Sequence, residues 1–280
     1  MGSFKLLRKM LGTEDFTSST GLVTTIRSLV AEALGVALIV FVGCGATLNF
    51  VTSTDIVQIG LTFGCITFAC VQWGFSMSGA HLNPAITLGI LLTGRLGWLR
   101  GFLYIGSQCF GALGGSFLLQ VLAPRYHHGH LGTTYLFPGG VDPTCQSGDC
   151  IIGNVKPWQG FGIELMVSLV LVLVYLSATD PLQSEDETTN VPLAMGLAVA
   201  GVHLMAFPYT GCGANPARSL GPAVIAQQWD NHWVYWAGPL AGGMLAACLH
   251  RFVFSSFRRH QRHQYDITAT TDPMKMHNVN

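Results

Sequence analysis

An all-α membrane protein is predicted, with six transmembrane helices and two re-entrant half-helices in two inverted three-helix repeats. Three observations predict it. Charged residues make up 10% of the 280-residue chain and hydrophobic ones 50%, whereas a soluble domain carries about 25% charged residues. Six apolar runs each approach the roughly 20 residues needed to cross a bilayer core. The two halves also repeat the same residue types at an offset of 132 positions, as from Asn83 to Asn215.

The six runs are Leu29–Phe50, Val57–Ser76, Leu99–Leu122, Gly160–Ala178, Val191–Pro208 and Trp233–Phe254. Residues 1–24 hold Lys5, Arg8, Lys9, Glu14 and Asp15 and no continuous apolar stretch, so the first run is expected to act as the insertion signal in place of a cleaved leader. Basic residues gather in this segment, at Arg95 and Arg100 after the second run, and at Arg251, Arg258, Arg259 and Arg262 near the end. With six crossings all three groups share one face, which the positive-inside rule makes cytoplasmic. The expected organisation is a cytoplasmic segment 1–24, a membrane domain 25–255 with repeats at about 25–124 and 157–255, and a cytoplasmic tail 256–280. A long extracellular loop, 123–159, joins the repeats. Net neutrality, with no basic cluster among aromatics, excludes nucleic acid as a partner.

At the same offset Glu164 falls on Glu32, Gly196 on Gly64, Gly211 on Gly79, Gly221 on Gly89, Gly238 on Gly106 and Gly243 on Gly111. Asn215-Pro216-Ala217 falls on Asn83-Pro84-Ala85, and the Glu-to-Asn interval is 51 residues in both halves. Three spans per half is an odd number, so the second half enters the membrane upside down, with function expected at the midplane where interrupted segments meet. The interrupted segments are Asn83–Leu92 and Asn215–Ala226. A ten-residue helix is about 15 Å long, half of a hydrocarbon core of about 30 Å, so two such stubs can meet tip to tip.

Each stub carries a helix-start signal. Asn is among the best N-caps, and Pro is favoured at the first helical position because its missing N–H costs nothing there. The stretches SGAHLNPAIT and TGCGANPARS therefore read as loop, cap and half-helix. The loop backbone is tolerable at membrane depth only where it lines a cavity, and Gly79, Gly211 and Gly213 permit unusual dihedrals there. Glu32 and Glu164, buried acids, are expected to accept hydrogen bonds from the exposed N–H groups of these loops.

Paired Asn-Pro-Ala boxes on inverted three-span repeats resemble the aquaporin (major intrinsic protein) family over nearly all of residues 25–255. The resemblance implies a water-selective channel of the animal type in the plasma membrane, homotetrameric with a pore in each protomer, embedded in lipid and needing no cofactor or metal. Each half-helix N-terminus carries about +0.5 charge. Two facing tips oppose a unit cation by about 4 kcal/mol at 4 Å and an effective dielectric of 20, nearly a thousandfold in occupancy. Water escapes that penalty, and the Asn83 and Asn215 amides can donate to its oxygen; barriers of this kind are the general mechanism of aquaporin-type pores.

The resemblance also implies a narrow ring. Carried over residue by residue, it consists of Arg218 (three past Asn215), His203 (twelve before it), Cys212 (three before it) and Phe63 (twenty before Asn83). Arg218 is the one Lys or Arg well inside the apolar framework, and an intramembrane charge is a functional hypothesis in itself. The topology brings all four to the outer third. Phe63 and His203 together are expected to narrow the opening to about a water's width. Glycerol-conducting relatives have a smaller residue at the His and Asp after the Arg; this chain has His203 and Ser219, with Ala223, Tyr235 and Trp236 of the water type. Cys212 is expected to expose a thiol to the pore and confer sensitivity to mercurials.

The remaining features have plainer readings. His81 is expected to brace its loop. HHGH (127–130) lies in the long loop, where a solvated polar segment is the expectation and a metal site or pH sensor the alternative; Cys145 and Cys150 are candidate disulfide partners there. Ser255 and Ser256 beside Arg258 are candidate phosphorylation sites. The rival functions are a wider channel passing urea, glycerol or hydrogen peroxide, and a junctional or structural protein with an incidental pore. An enzyme is not expected, since neither a nucleophile motif nor H-E-x-x-H spacing occurs.

Overall fold

The computed structural model describes residues 18–48, 55–124, 130–137, 140–141, 151–180 and 190–254. Cys145, Cys150, His127, His128, Ser255 and Ser256 lie outside them. The first repeat comprises α1 (Ser19–Gly45), α2 (Ile56–Ser78), the short α3 (Pro84–Leu92) and α4 (Trp98–Leu122). The second comprises α5 (Pro157–Ala178), α6 (Val191–Thr210), the short α7 (Pro216–Ala226) and α8 (Val234–Leu249), which continues as a π-turn over His250–Phe254. Between the repeats, β1 (Gly140–Val141) and β2 (Ile151–Ile152) form a minimal antiparallel pair that matches Gly140 to Ile152.

Caps set the helix starts. Ser18 Oγ accepts from Gly21 N, Asp55 Oδ1 from Val57 N and Gln58 N, and Asn190 Oδ1 from Leu193 N. Among the described residues six helices are long and apolar enough to span, and their outer faces present bare hydrocarbon suited to lipid: Phe110 is 74% and Leu197 66% exposed. Helix α1 starts at Ser19, ahead of the Leu29 start expected from hydropathy. Its first turns are polar and partly tied down: Thr24 donates to Thr20 O, and Ser28 Oγ donates to Met77 O while accepting from Arg100 Nη2. At 27 residues α1 is about 40 Å long, so these turns extend past a core of about 30 Å. Helix α6 likewise runs through Pro208 to Thr210.

Packing follows a pseudo-twofold. Helix α2 packs on α6 across the axis, and every other major contact has its mate: α1 on α4 and α5 on α8, α1 on α2 and α5 on α6, α4 on α7 and α8 on α3. Glycines make these crossings close. A Cβ on Gly64 would stand 2.6 Å from Gly196 O, and one on Gly196 would stand 3.0 Å from Gly64 O. Such spacing admits only backbone.

The repeat offset changes along the chain. From Glu32 to Asn83 it is 132, but in the last helices it is 131. Tyr104 and Tyr235 donate to the equivalent carbonyls of Ser78 and Thr210. A Cβ on Gly111 would meet Ala33 O at 2.0 Å, and one on Gly242 would meet Leu165 O at 2.3 Å. The expected pairing of Gly106 with Gly238 and Gly111 with Gly243 is thus off by one. Glycine is common enough in α4 and α8 for a neighbouring residue to match by chance, whereas packing identifies the true mate.

Candidate functional site: the cavity between the half-helix tips

The loops that precede the two half-helices are conformational copies. Gly79 and Gly211 take φ of 85° and 68°, Ala80 and Cys212 49° and 48°, Leu82 and Ala214 52° and 51°. Left-handed residues other than Gly cost roughly 1–3 kcal/mol each, so something must hold them. The buried glutamates do so. Glu32 Oε1 accepts from Ser78 Oγ (2.6 Å) and His81 N (2.9 Å), and its Oε2 from Leu82 N (2.7 Å) and Gln108 Nε2 (2.8 Å). Glu164 Oε1 accepts from Thr210 Oγ1 (2.6 Å) and Gly213 N (2.9 Å), and its Oε2 from Ala214 N (2.6 Å). With the N–H groups drawn to the carboxylates, Tyr175 OH secures the other side by donating to Gly79 O at 2.6 Å.

Both Asn-Pro-Ala boxes cap their helices. Asn83 Oδ1 accepts from Ala85 N at 2.8 Å, and Asn215 Oδ1 from Ala217 N at 3.1 Å and Arg218 N at 3.3 Å. Each side-chain amide also reaches across the axis: Asn83 Nδ2 donates to Ala214 O and Asn215 Nδ2 to Leu82 O. An amide carries two N–H groups, so one remains for the cavity that both residues line. This cross-tie has no signature in the sequence.

That cavity, about 40 Å³ of space open to the centre of a water, runs between the tips toward Phe63, His203 and Arg218. One water needs about 10–15 Å³ on this measure, so a short file fits. Apolar Val71, Ile86, Leu171 and Val199 line it together with polar Asn83, Asn215, His81 and Thr67. His81 lines it while bracing its loop, through Nδ1 to Thr87 Oγ1 at 3.2 Å and edge contacts with Tyr104 and Tyr175.

At one end Phe63 and His203 stack, with centroids 4.2 Å apart and planes 20° from parallel, and the Arg218 guanidinium carbon lies 5.0 Å from the Phe63 centroid. The two rings therefore stack on one another where they line the cavity. The cause is the close crossing of α2 and α6 at Gly60, Gly64 and Gly196, which draws together side chains at the neighbouring turns. His203 Nδ1 lies 2.8 Å from Val199 O; a carbonyl only accepts, so Nδ1 donates and the neutral ring keeps Nε2 as an acceptor. His203 Nε2 and Arg218 Nε find no partner among the described residues.

Two features depart from the sequence reading. Cys212 does not border the cavity; it is buried, and its thiol donates to Val202 O at 3.5 Å, because the left-handed backbone turns the side chain away. The long loop is not simply solvated: Leu131, Thr133 and Thr134 are buried, and Gly132 O accepts from Arg218 Nη1 at 2.7 Å. The nearest signal was LGTT (131–134), an apolar and small stretch after HHGH.

Opposed, Asn-capped half-helices enclosing a polar-tipped cavity within a lipid-facing six-helix shell define a membrane channel. The profile of the major intrinsic protein family matches residues 19–250. Aquaporin FA-CHIP of Pelophylax lessonae is 38% identical over 241 residues, covering 82% of this chain and 83% of that one; Aquaporin-1 of Homo sapiens is 38% identical over 237, covering 82% of each. The fold is similar to the crystal structure of the aquaglyceroporin from Plasmodium falciparum, with TM-score 0.70 at 22% identity over 84% of this chain and 99% of that one. The chain belongs to the major intrinsic protein family, whose aquaporins are channels and not enzymes.

Proposed function

We propose that the protein is a water-selective channel that passes water down osmotic gradients and excludes ions and protons. It acts in the plasma membrane as a homotetramer with a pore in each protomer, both termini cytoplasmic and residues 25–255 forming the channel domain. The observation that carries the reading is the Phe63–His203–Arg218 cluster. Its aromatic pair and the guanidinium line the cavity together, and His203 Nε2 and Arg218 Nε offer one acceptor and one donor to a permeant stripped of its hydration. Water carries both complements in the smallest volume. The 38% identity to proteins named aquaporins supports the same permeant. The likeness to an aquaglyceroporin is one of fold and does not bear on selectivity.

Stopped-flow light scattering on proteoliposomes tests this. Vesicles with the wild-type chain are expected to shrink faster than empty ones under hyperosmotic shock, with glycerol entering both alike, and His203→Gly is expected to gain glycerol flux. A verified insertion that leaves shrinkage at the empty-vesicle rate sinks the reading.

A further inference from the structure

The outer cluster is shaped from behind by α1. A Cβ built on Gly43 would stand 2.4, 2.6 and 2.7 Å from three atoms of the Phe63 ring. Carbon atoms pack at about 3.5–4.0 Å, so with any side chain at 43 the ring would have to retreat by about an ångström. Its partners leave it little freedom. His203 stacks on it and is tied through Nδ1 to Val199 O. Arg218 sits over it and is tied through Nη1 to Gly132 O. Gly132 is itself held: at φ 71°, a Cβ there would stand 2.6 Å from the Cβ of Cys44, the residue after Gly43. Neither Gly43 nor Cys44 borders the cavity.

We propose that Gly43 is a positioning residue that sets the bore of the channel: by presenting no side chain it lets the Phe63 ring rest against α1, and a side chain there drives the ring into the passage. The inference rests on the reading of Phe63, His203 and Arg218 as the constriction. The ring moves away from α1, which is toward the cavity that it lines, and its anchored partners do not yield. Residue 43 then acts on permeation through Phe63 alone.

A double-mutant cycle isolates that coupling. Wild type, Gly43→Ala, Phe63→Ala and the double variant are compared in proteoliposomes for water and glycerol permeability per inserted protomer. Gly43→Ala is expected to lower water permeability about fivefold to tenfold, the scale of one overpacked methyl carried into a barrier, without admitting glycerol. In the Phe63→Ala background the same change is expected to alter neither flux. Unchanged permeability in Gly43→Ala, or an equal loss in both backgrounds, overturns the proposal. If Gly43→Ala does not insert, the double variant decides: recovered insertion supports the clash with the ring and continued failure overturns it. A wild type that conducts no water sinks the channel reading and this proposal together, whereas a conducting wild type with an indifferent Gly43→Ala sinks this proposal alone.

Discussion

Asn83 and Asn215 each donate a side-chain amide hydrogen to the carbonyl just before the other, at 2.9 Å to Ala214 O and 2.8 Å to Leu82 O. The two half-helix tips are therefore bonded to one another as well as opposed, and each Asn serves its own helix through Oδ1 and the other repeat through Nδ2. Replacing Asn215 with Leu removes a cap worth about 1 kcal/mol and leaves Leu82 O unpaired, about 1–3 kcal/mol more. Thermal unfolding in detergent is expected to shift down accordingly, and Asn83→Leu to shift it less, because Ala214 O also accepts from Ser168 Oγ at 3.3 Å and keeps a partner.

Removing Glu164 strands two backbone donors at once. Glu164→Ala leaves Gly213 N and Ala214 N without their acceptor beside residues held at positive φ, and leaves Thr210 Oγ1 only the longer bond to Ala206 O. The expected loss is about 3–5 kcal/mol, read as aggregation or failed insertion. Glu164→Gln keeps one acceptor oxygen and should fall between the two. Near-native melting of the Ala variant would show that the loop holds its shape unaided.

The register slip gives a paired prediction. A methyl on Gly111 meets the backbone oxygen of Ala33 at 2.0 Å and one on Gly106 meets nothing within 4 Å. Gly111→Ala is therefore expected to destabilise by about 1–3 kcal/mol, and Gly106→Ala to be neutral or to stabilise by about 0.4–1 kcal/mol through the unfolded chain. Melting curves of the two variants with the opposite order would refute the packing assigned to α1 and α4.

Protonation should loosen one turn at the loop face. His232, between α7 and α8, accepts on Nε2 from Trp236 Nε1 at 3.2 Å, and burial lowers its pKa below the usual histidine range. A folded pKa below the unfolded value means that the fold prefers the neutral ring. Its contribution is present above about pH 6.5 and fades as pH falls from there toward the folded pKa. Tryptophan fluorescence is expected to change over that window in wild type and to lose that component in His232→Gln.

Much of the site is legible because it is local and duplicated. The Glu-to-Asn interval of 51 residues repeats, and each Glu ends on the loop N–H groups that lipid would otherwise leave unpaired. Contacts between distant segments left no such trace. Gly132 lies 86 residues from the Arg218 it anchors, in a stretch whose composition resembles an ordinary loop. The direction of the Cys212 thiol depends on a left-handed residue that no spacing rule reports.

By itself the sequence determined six spans, two half-helices and their inverted duplication, since hydropathy over a bilayer's thickness and the need to cap each helix start are written residue by residue. Only the tertiary structure decided that Phe63 lies flat on His203, that Arg218 is held by Gly132, and that the asparagines bond across the axis. Those meetings depend on how closely helices cross, a distance set by backbone-to-backbone contact at Gly64 and Gly196, and the hydrophobic pattern along any one helix carries no measure of it.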